Sequence, residues 1–161
     1  GAGMAVDAVR KYQSGGPVEG AKQDPALVTK APKIKKEFGL IDWTKPAEYI
    51  ERFVRAMQPW PTAYTFFHRP GKEPMRVIVN KVGESLAIGM PSSAPDSPPG
   101  TLVGNLPFGT ERIPLLVNCA PWQRLAVTEL QPAGKKKMTA EEFLRGYPIV
   151  EGMRFGPEVL A

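Results

Sequence analysis

The order of apolar and polar positions divides the chain into three stretches. In the first, Ala2, Ala5, Val6 and Val9 fall on one face of a helix running from Ala2 to Gln13, which Ser14-Gly15-Gly16-Pro17 stops. That apolar stripe meets no evident partner in the segment behind it. In the second stretch, Pro17 to Lys36, periodicity disappears. Prolines stand at positions 17, 25 and 32 with polar residues between them, which reads as a linker.

The third stretch opens on the clearest helical pattern. Ile50, Phe53, Val54 and Met57 repeat at helical spacing, with Thr44 expected as the N-cap and Pro46 in the first turn. Glu48 with Arg52, and Glu51 with Arg55, are spaced for i,i+4 ion pairs, which places both arginines on the solvent face. Pro59-Trp60-Pro61 ends the helix. Trp60, held between prolines, is expected to plug the core, and Trp43 to do the same at the other end.

Beyond Thr62 the period shortens to that of strands. Thr62 to Arg69 and Met75 to Lys81 read as a hairpin across Pro70-Gly71-Lys72-Glu73-Pro74, with Glu84 to Met90 extending or following it. The low-complexity run from Pro91 to Gly100 is a loop. A strand starts near Gly100-Thr101-Leu102-Val103, and Ile113 to Cys119 and Trp122 to Leu130 pair across Ala120-Pro121. A capped helix follows: Thr139 as N-cap, Glu142 closing a capping box, Met138 with Phe143 as hydrophobic staple, and Gly146 as the stop. The fold class expected is mainly β with short helices: a small barrel preceded by one helix, plus a separate N-terminal amphipathic helix.

Composition adds limits. A chain of 161 residues supports one domain with a core of its own and an appendage. Eighteen prolines and sixteen glycines favour short strands and many turns over long helices. The net charge of +5 favours an anionic partner without naming one. Cys119 is the only cysteine, so no internal disulfide can form and a reducing compartment is expected. It stands in the apolar run Leu115 to Cys119, which suits a buried thiol better than a nucleophile. No apolar run reaches the roughly 20 residues that span a bilayer, and no leader-like organisation opens the chain. The cytoplasm is the expected location.

The chemistry concentrates in lysines. Leu130-Gln131-Pro132-Ala133-Gly134-Lys135-Lys136-Lys137-Met138 ends a strand, turns, and enters the capped helix directly. Three lysines on so short a turn form either a solvated surface or a grip on a phosphate backbone. Lys30, Lys33, Lys35 and Lys36 form a second cluster at the end of the linker. They are either solubilising or a basic strap over a nucleic-acid groove. No Cys/His cluster, Gly-rich phosphate loop or nucleophile elbow occurs, so no metal site and no catalytic residue is assigned. Asp42 before its helix reads as a cap. The single histidine, His68, falls in a strand and reads as a strand-edge or partly buried side chain.

These residues resemble a family. The run Leu130 to Met138 is similar to a signature near the C-terminus of methionyl-tRNA formyltransferases. Ile41-Asp42-Trp43-Thr44-Lys45-Pro46-Ala47-Glu48, with Ile50, Arg55-Ala56, Pro59-Trp60-Pro61 and Ala63-Tyr64-Thr65, resembles a block shared with sugar N-formyltransferases and formyltetrahydrofolate dehydrogenases. Ala31 to Gly39 looks like the family's interdomain linker, Gly100-Thr101 like its strand start, and Gly152 to Gly156 like its short terminal strand. The resemblance covers the whole chain, and the Gln-Pro-Ala-Gly-Lys-Lys loop favours the tRNA enzymes over their relatives. The turn at Ala120-Pro121 departs from the family's usual hairpin.

The resemblance implies a division into residues 1–16, the last helix of an N-terminal catalytic domain; 17–38, a basic linker; and 39–161, an OB-like tRNA-binding barrel. It implies that the parent enzyme formylates methionyl-initiator tRNA from 10-formyltetrahydrofolate. The donor site, the Asn–His–Asp set and the Ser-Leu-Leu-Pro loop of the catalytic domain have no counterpart here, so the chain is expected to lack cofactor and activity of its own. The expected partners are initiator tRNA and the catalytic domain. The expected tRNA contacts are Lys30, Lys33, Lys35, Lys36, Lys135, Lys136 and Lys137. Two rivals stay open: an accessory domain of a sugar or other folate-dependent formyltransferase, and a structural module whose charge serves solubility.

Overall fold

The computed structural model describes residues 1–15, 20, 22–83, 97–108, 111–120 and 123–160, the side chains of 105–108 and 111–114 excepted. It divides into two compact units, Gly1–Lys33 and Ile34–Ala161. The division falls inside the stretch whose sequence reads as linker.

The first unit contains α1, Ala2–Gln13, none of whose residues is buried. Met4, Val6, Val9 and Tyr12 are all exposed. Asp24 caps a short 3-10 turn at Pro25–Leu27, its Oδ1 accepting from the Ala26 N–H at 2.9 Å.

In the second unit a 3-10 turn at Lys36–Gly39 leads to α2, Ala47–Ala56. The strands are β1 Tyr64–Arg69, β2 Lys72–Val82, β3 Leu102–Phe108, β4 Glu111–Cys119, β5 Gln123–Pro132, β6 Met138–Thr139 and β7 Arg154–Gly156, with α3, Ala140–Gly146, between the last two. They form one sheet in the order β3-β4-β5-β2-β1-β7, with β6 paired to β5. Every strand pair is antiparallel. The two ends of this order meet. The Phe155 N–H donates to the Gly100 carbonyl at 2.8 Å, and the Leu102 N–H to the Met153 carbonyl at 3.2 Å. The sheet thereby curls into a nearly closed barrel. Gly100 is required at the seam: its φ is +89°, and a Cβ there would run into the Phe155 carbonyl oxygen. The expected class, a small β-barrel with few short helices, is the one observed.

Alternation fills the barrel. Val77 and Val79 from β2, Leu125, Val127 and Leu130 from β5, and Leu115 and Val117 from β4 are buried. Register shifts between Val79 and Val82 absorb the change of phase along the β2–β5 pair. Phe67 stands at the aromatic centre, its ring 5.3 Å from Phe143 and 5.7 Å from Phe155. Trp43 stacks on Phe155 at 5.7 Å. Its indole N–H donates to Thr65 Oγ1 at 3.0 Å, and that hydroxyl donates to the Gly156 carbonyl at 3.1 Å. The buried indole and threonine are thus both satisfied.

Several local readings need correction. Thr44 does not cap α2. Its N–H and hydroxyl both donate to Asp42 Oδ1, at 3.0 and 2.6 Å, closing a turn. Pro46 occupies the cap position, and the Ala47 N–H donates to Gln123 Oε1 at 2.7 Å, a cap supplied from β5. Of the two α2 ion pairs expected, Glu51–Arg55 forms at 3.2 Å and Glu48–Arg52 does not. Trp43 is buried as expected, but Trp60 is 54% exposed and plugs nothing. The first hairpin turns through Pro70-Gly71 alone, with Arg69 opposite Lys72, so Lys72 to Pro74 belong to β2. Gly146 is the last residue of α3 rather than its stop. The chain leaves the helix at Tyr147, with φ −138° and ψ 71°, as its ring packs 4.8 Å from Phe143. Glu84 to Met90, residues 91–96 of the expected loop, Pro121 and Trp122 lie outside the described residues.

Candidate nucleic-acid interface

The lysine loop is anchored at both ends. On entry, β5 runs through Leu130-Gln131-Pro132. The Ala133 N–H donates to the Arg76 carbonyl at 2.9 Å, and the Lys135 N–H returns to the Pro132 carbonyl at 3.0 Å. Gly134 takes φ +73°, which a β-carbon would strain. Gln131 Nε2 donates to the Lys135 carbonyl at 2.9 Å and braces the turn from inside. On exit, β6 pairs back onto β5, with Leu130 opposite Met138 and Glu129 opposite Thr139.

Behind β6 the capping box is complete. Thr139 Oγ1 accepts from the Glu142 N–H at 3.2 Å, and Glu142 Oε2 accepts from the Thr139 N–H at 2.8 Å. Met138 packs against the core and Phe143 is fully buried in it, as the staple requires. The loop backbone is therefore held by hydrogen bonds at Ala133 and Lys135, by strand pairing from Met138, and by a buried aromatic just beyond it.

The three lysines differ in what they can do. All are exposed. Lys137 Nζ lies 2.7 Å from Glu129 Oε2, so its charge is already matched. The hydrogen bond from Lys137, with its charge and that of Lys81, holds the Glu129 carboxyl below the usual range. Lys135 and Lys136 make no ion pair among the described residues. Two lysines thus project unmatched charge from the turn, while the third fastens it to β5.

The linker lysines are placed differently. Lys30, Lys33, Lys35 and Lys36 are all exposed. Lys30 and Lys33 belong to the first unit, and Lys35 and Lys36 to the second. Lys36 begins the 3-10 turn, and the Lys35 carbonyl accepts from the Phe38 N–H at 3.1 Å. Lys35 and Lys36 thus share the start of one 3-10 turn, and Lys135, Lys136 and Lys137 share one loop anchored by strand pairing at both ends.

One cation escaped the sequence reading. Arg76 lies on β2 directly beside the loop, because its carbonyl receives the Ala133 N–H. Its guanidinium carbon stands 4.1 Å from the centre of the Tyr64 ring. The hairpin alone does not reveal it: counting back from a two-residue Pro70-Gly71 turn puts Arg76 opposite Thr65, and only the one-residue register shift between Phe67 and Arg69 brings it opposite Phe66.

Among the described residues, the remaining titratable groups point to no other chemistry. Burial pushes the Cys119 thiol up to about 12, which keeps it protonated. His68 Nε2 hydrogen-bonds the Pro157 carbonyl at 2.8 Å. The side-chain hydrogen bond from Thr44 lowers the Asp42 pKa. Among the described residues no cluster of His, Cys, Asp and Glu could hold a metal, and no helix is long and apolar enough to cross a membrane.

Comparison with known proteins gives the family. A family model described as the formyl transferase C-terminal domain matches residues 33–148. A methionyl-tRNA formyltransferase of Bacillus licheniformis is 37% identical over 141 residues, 88% of this chain and 40% of that protein. One from Geobacillus is 39% identical over 139 residues, 85% of this chain and 39% of that protein. One from Rhodopirellula baltica is 34% identical over 147 residues, 91% of this chain and 40% of that protein. The chain thus spans about two fifths of the length of these curated relatives. It belongs to the formyl transferase C-terminal domain family.

Proposed function

We propose that this chain is the C-terminal part of a methionyl-tRNA formyltransferase, and that its barrel grips tRNA electrostatically. The whole enzyme would act in the cytoplasm, moving a formyl group from 10-formyltetrahydrofolate to the amino group of methionyl-initiator tRNA. Donor and catalytic groups would lie in the N-terminal domain, of which α1 would be the last helix and residues 17–38 the linker.

The observation that carries this reading is the turn braced at Ala133 and Lys135, from which the unmatched Lys135 and Lys136 project. A charge on a fixed backbone can meet a phosphate without first losing chain entropy. Contacts of this kind position a nucleic acid and do not read its sequence. Lys30, Lys33, Lys35 and Lys36 would add charge along the path of the linker, and Lys137 would contribute chiefly by holding the turn.

The test is binding to initiator tRNA across a salt series, with an elongator tRNA alongside. Each phosphate contact adds about 0.7 to 0.9 to the slope of log affinity against log salt. Replacing both Lys135 and Lys136 by Ala should flatten the slope by roughly two units, and Lys137→Ala by less than one. Equal affinity for the two tRNAs would assign selectivity to the catalytic domain. An unchanged slope in the double variant would sink the loop as the contact. Absence of tRNA binding at low salt would favour an accessory domain of a small-molecule formyltransferase.

A further inference from the structure

The outer face of β1 and β2 carries a feature that phosphate binding alone does not use. Thr65 and Phe67 point into the barrel, so Tyr64 and Phe66 point out, and both remain partly exposed. On β2, Val77 and Val79 point in, while Arg76 and Ile78 point out, with Arg76 exposed and Ile78 partly so. Register makes these residues neighbours. Phe66 is opposite Arg76, Tyr64 is opposite Ile78, and Ile78 is opposite Gln131 on β5. The Tyr64 and Phe66 rings meet edge to face at 6.0 Å. The Arg76 guanidinium lies over Tyr64, 4.1 Å from the ring centre.

This surface is continuous with the lysine loop. Gln131, which ends the Tyr64–Ile78 row, braces the Lys135 carbonyl at 2.9 Å, and the Arg76 carbonyl holds the Ala133 N–H. A stacking surface, a planar cation and two unmatched lysines therefore share one rigid patch. Solvent exposure of an aromatic and aliphatic row beside positive charge suits a ligand that is flat, apolar on its faces and anionic along its backbone. A duplex hides its base faces, so the fit is to unpaired nucleotides.

We infer that the Tyr64–Phe66–Arg76 face is a docking site for an unpaired RNA base, stacked on the Arg76 guanidinium, with the flanking phosphates at Lys135 and Lys136. This rests on the nucleic-acid reading of the lysine loop and adds the kind of RNA element that loop meets. The guanidinium is already flattened against Tyr64, so a base completes a base–Arg–Tyr stack with no reordering of the side chain.

The experiment compares an eight-nucleotide oligouridylate, an eight-base-pair RNA duplex and initiator tRNA, each titrated with the protein. Wild type should bind the single strand more tightly than the duplex. Arg76→Lys keeps the charge and loses the plane. It should weaken single-strand binding by about fivefold to a hundredfold, the range for one stacked base, and leave the salt slope unchanged. Phe66→Leu, which keeps an apolar outward side chain and spares the barrel interior, should weaken the single strand more than the duplex. Equal affinity for single strand and duplex, or wild-type affinity in Arg76→Lys, would overturn the inference. If tRNA still bound with a slope that depends on Lys135 and Lys136, only the stacking site would fall. If the oligonucleotide bound and stacked while tRNA did not bind, the tRNA reading would fall and the stacking site would stand.

Discussion

The two lysine clusters look alike in the sequence and differ in what holds them. Lys135 to Lys137 ride on a turn between paired strands, with hydrogen bonds at Ala133, Gln131 and Lys135 and a capped helix behind. No residue from Val28 to Lys36 is buried, and regular structure begins only at Lys36. A run of charge says little about binding until the backbone beneath it is known. A preordered cation contributes most of its Coulomb energy to the contact, whereas one on an unbraced chain loses part of it to ordering.

The comparison breaks most severely at Phe143. That side chain is fully buried against Phe67 and Tyr147, and it anchors α3 directly behind the loop. Phe143→Ala should cost about 3–5 kcal/mol, the usual range for a buried phenylalanine. Urea unfolding followed by tryptophan fluorescence measures it. A loss under about 1 kcal/mol would mean the helix does not anchor the loop.

A smaller effect is expected at the cap. Thr139→Ala removes the acceptor for the Glu142 N–H and should cost about 1 kcal/mol. Because Glu142 answers from the other side, the double variant with Glu142→Ala should cost less than the sum of the two single changes. Strict additivity in unfolding would show that the reciprocal bonds do not act as one unit.

The Glu129–Lys137 pair adds a pH signature. The Glu129 carboxyl has a lower pKa folded than unfolded, owing first to the hydrogen bond from Lys137. Its contribution is therefore present above the unfolded carboxylate pKa and fades as pH falls through the folded one. In Lys137→Ala the Glu129 pKa should move up toward the ordinary value, as a carbon-detected NMR titration would read. A pKa that stays low would place the cause elsewhere.

What the sequence showed and hid follows from range. The capping box at Thr139 and Glu142, the β4–β5 pair and the helix over Ile50 to Met57 depend on neighbours a few positions apart, and they could be read directly. The start of α2 could not, because its cap comes from Gln123, 76 positions away. Thr44 and Asp42 offered a local substitute that the chain uses as a turn. Trp60 was misread for a related reason: size and flanking prolines suggest a plug, but only the packing of the barrel decides which face of the chain turns inward. Among the candidate contacts, the lysines were visible as a run. The matching of Lys137 by Glu129 needed the β5–β6 register, and the place of Arg76 needed the register shift between Phe67 and Arg69, which no turn length reveals.

The finest test of the difference between the clusters keeps every charge and changes only the backbone. Two glycines inserted after Gly134 would lengthen the turn and uncouple Lys135 from the Gln131 brace, leaving all three lysines in place. Loop entropy rises only slowly with length, so the fold should lose less than about 1 kcal/mol. Affinity for tRNA should fall by about threefold to tenfold while the salt slope stays within roughly half a unit of wild type, because the number of phosphates met is the same and only the ordering cost has grown. The same insertion after Ala31, beside Lys30 and Lys33, should change neither the fold nor the affinity measurably, since that segment has no brace to lose. If both insertions weakened binding equally, the hydrogen bonds around Lys135 would not be what separates the loop from the linker. If neither did, charge number alone would govern the grip, and fixing the lysines would serve the fold and not the contact.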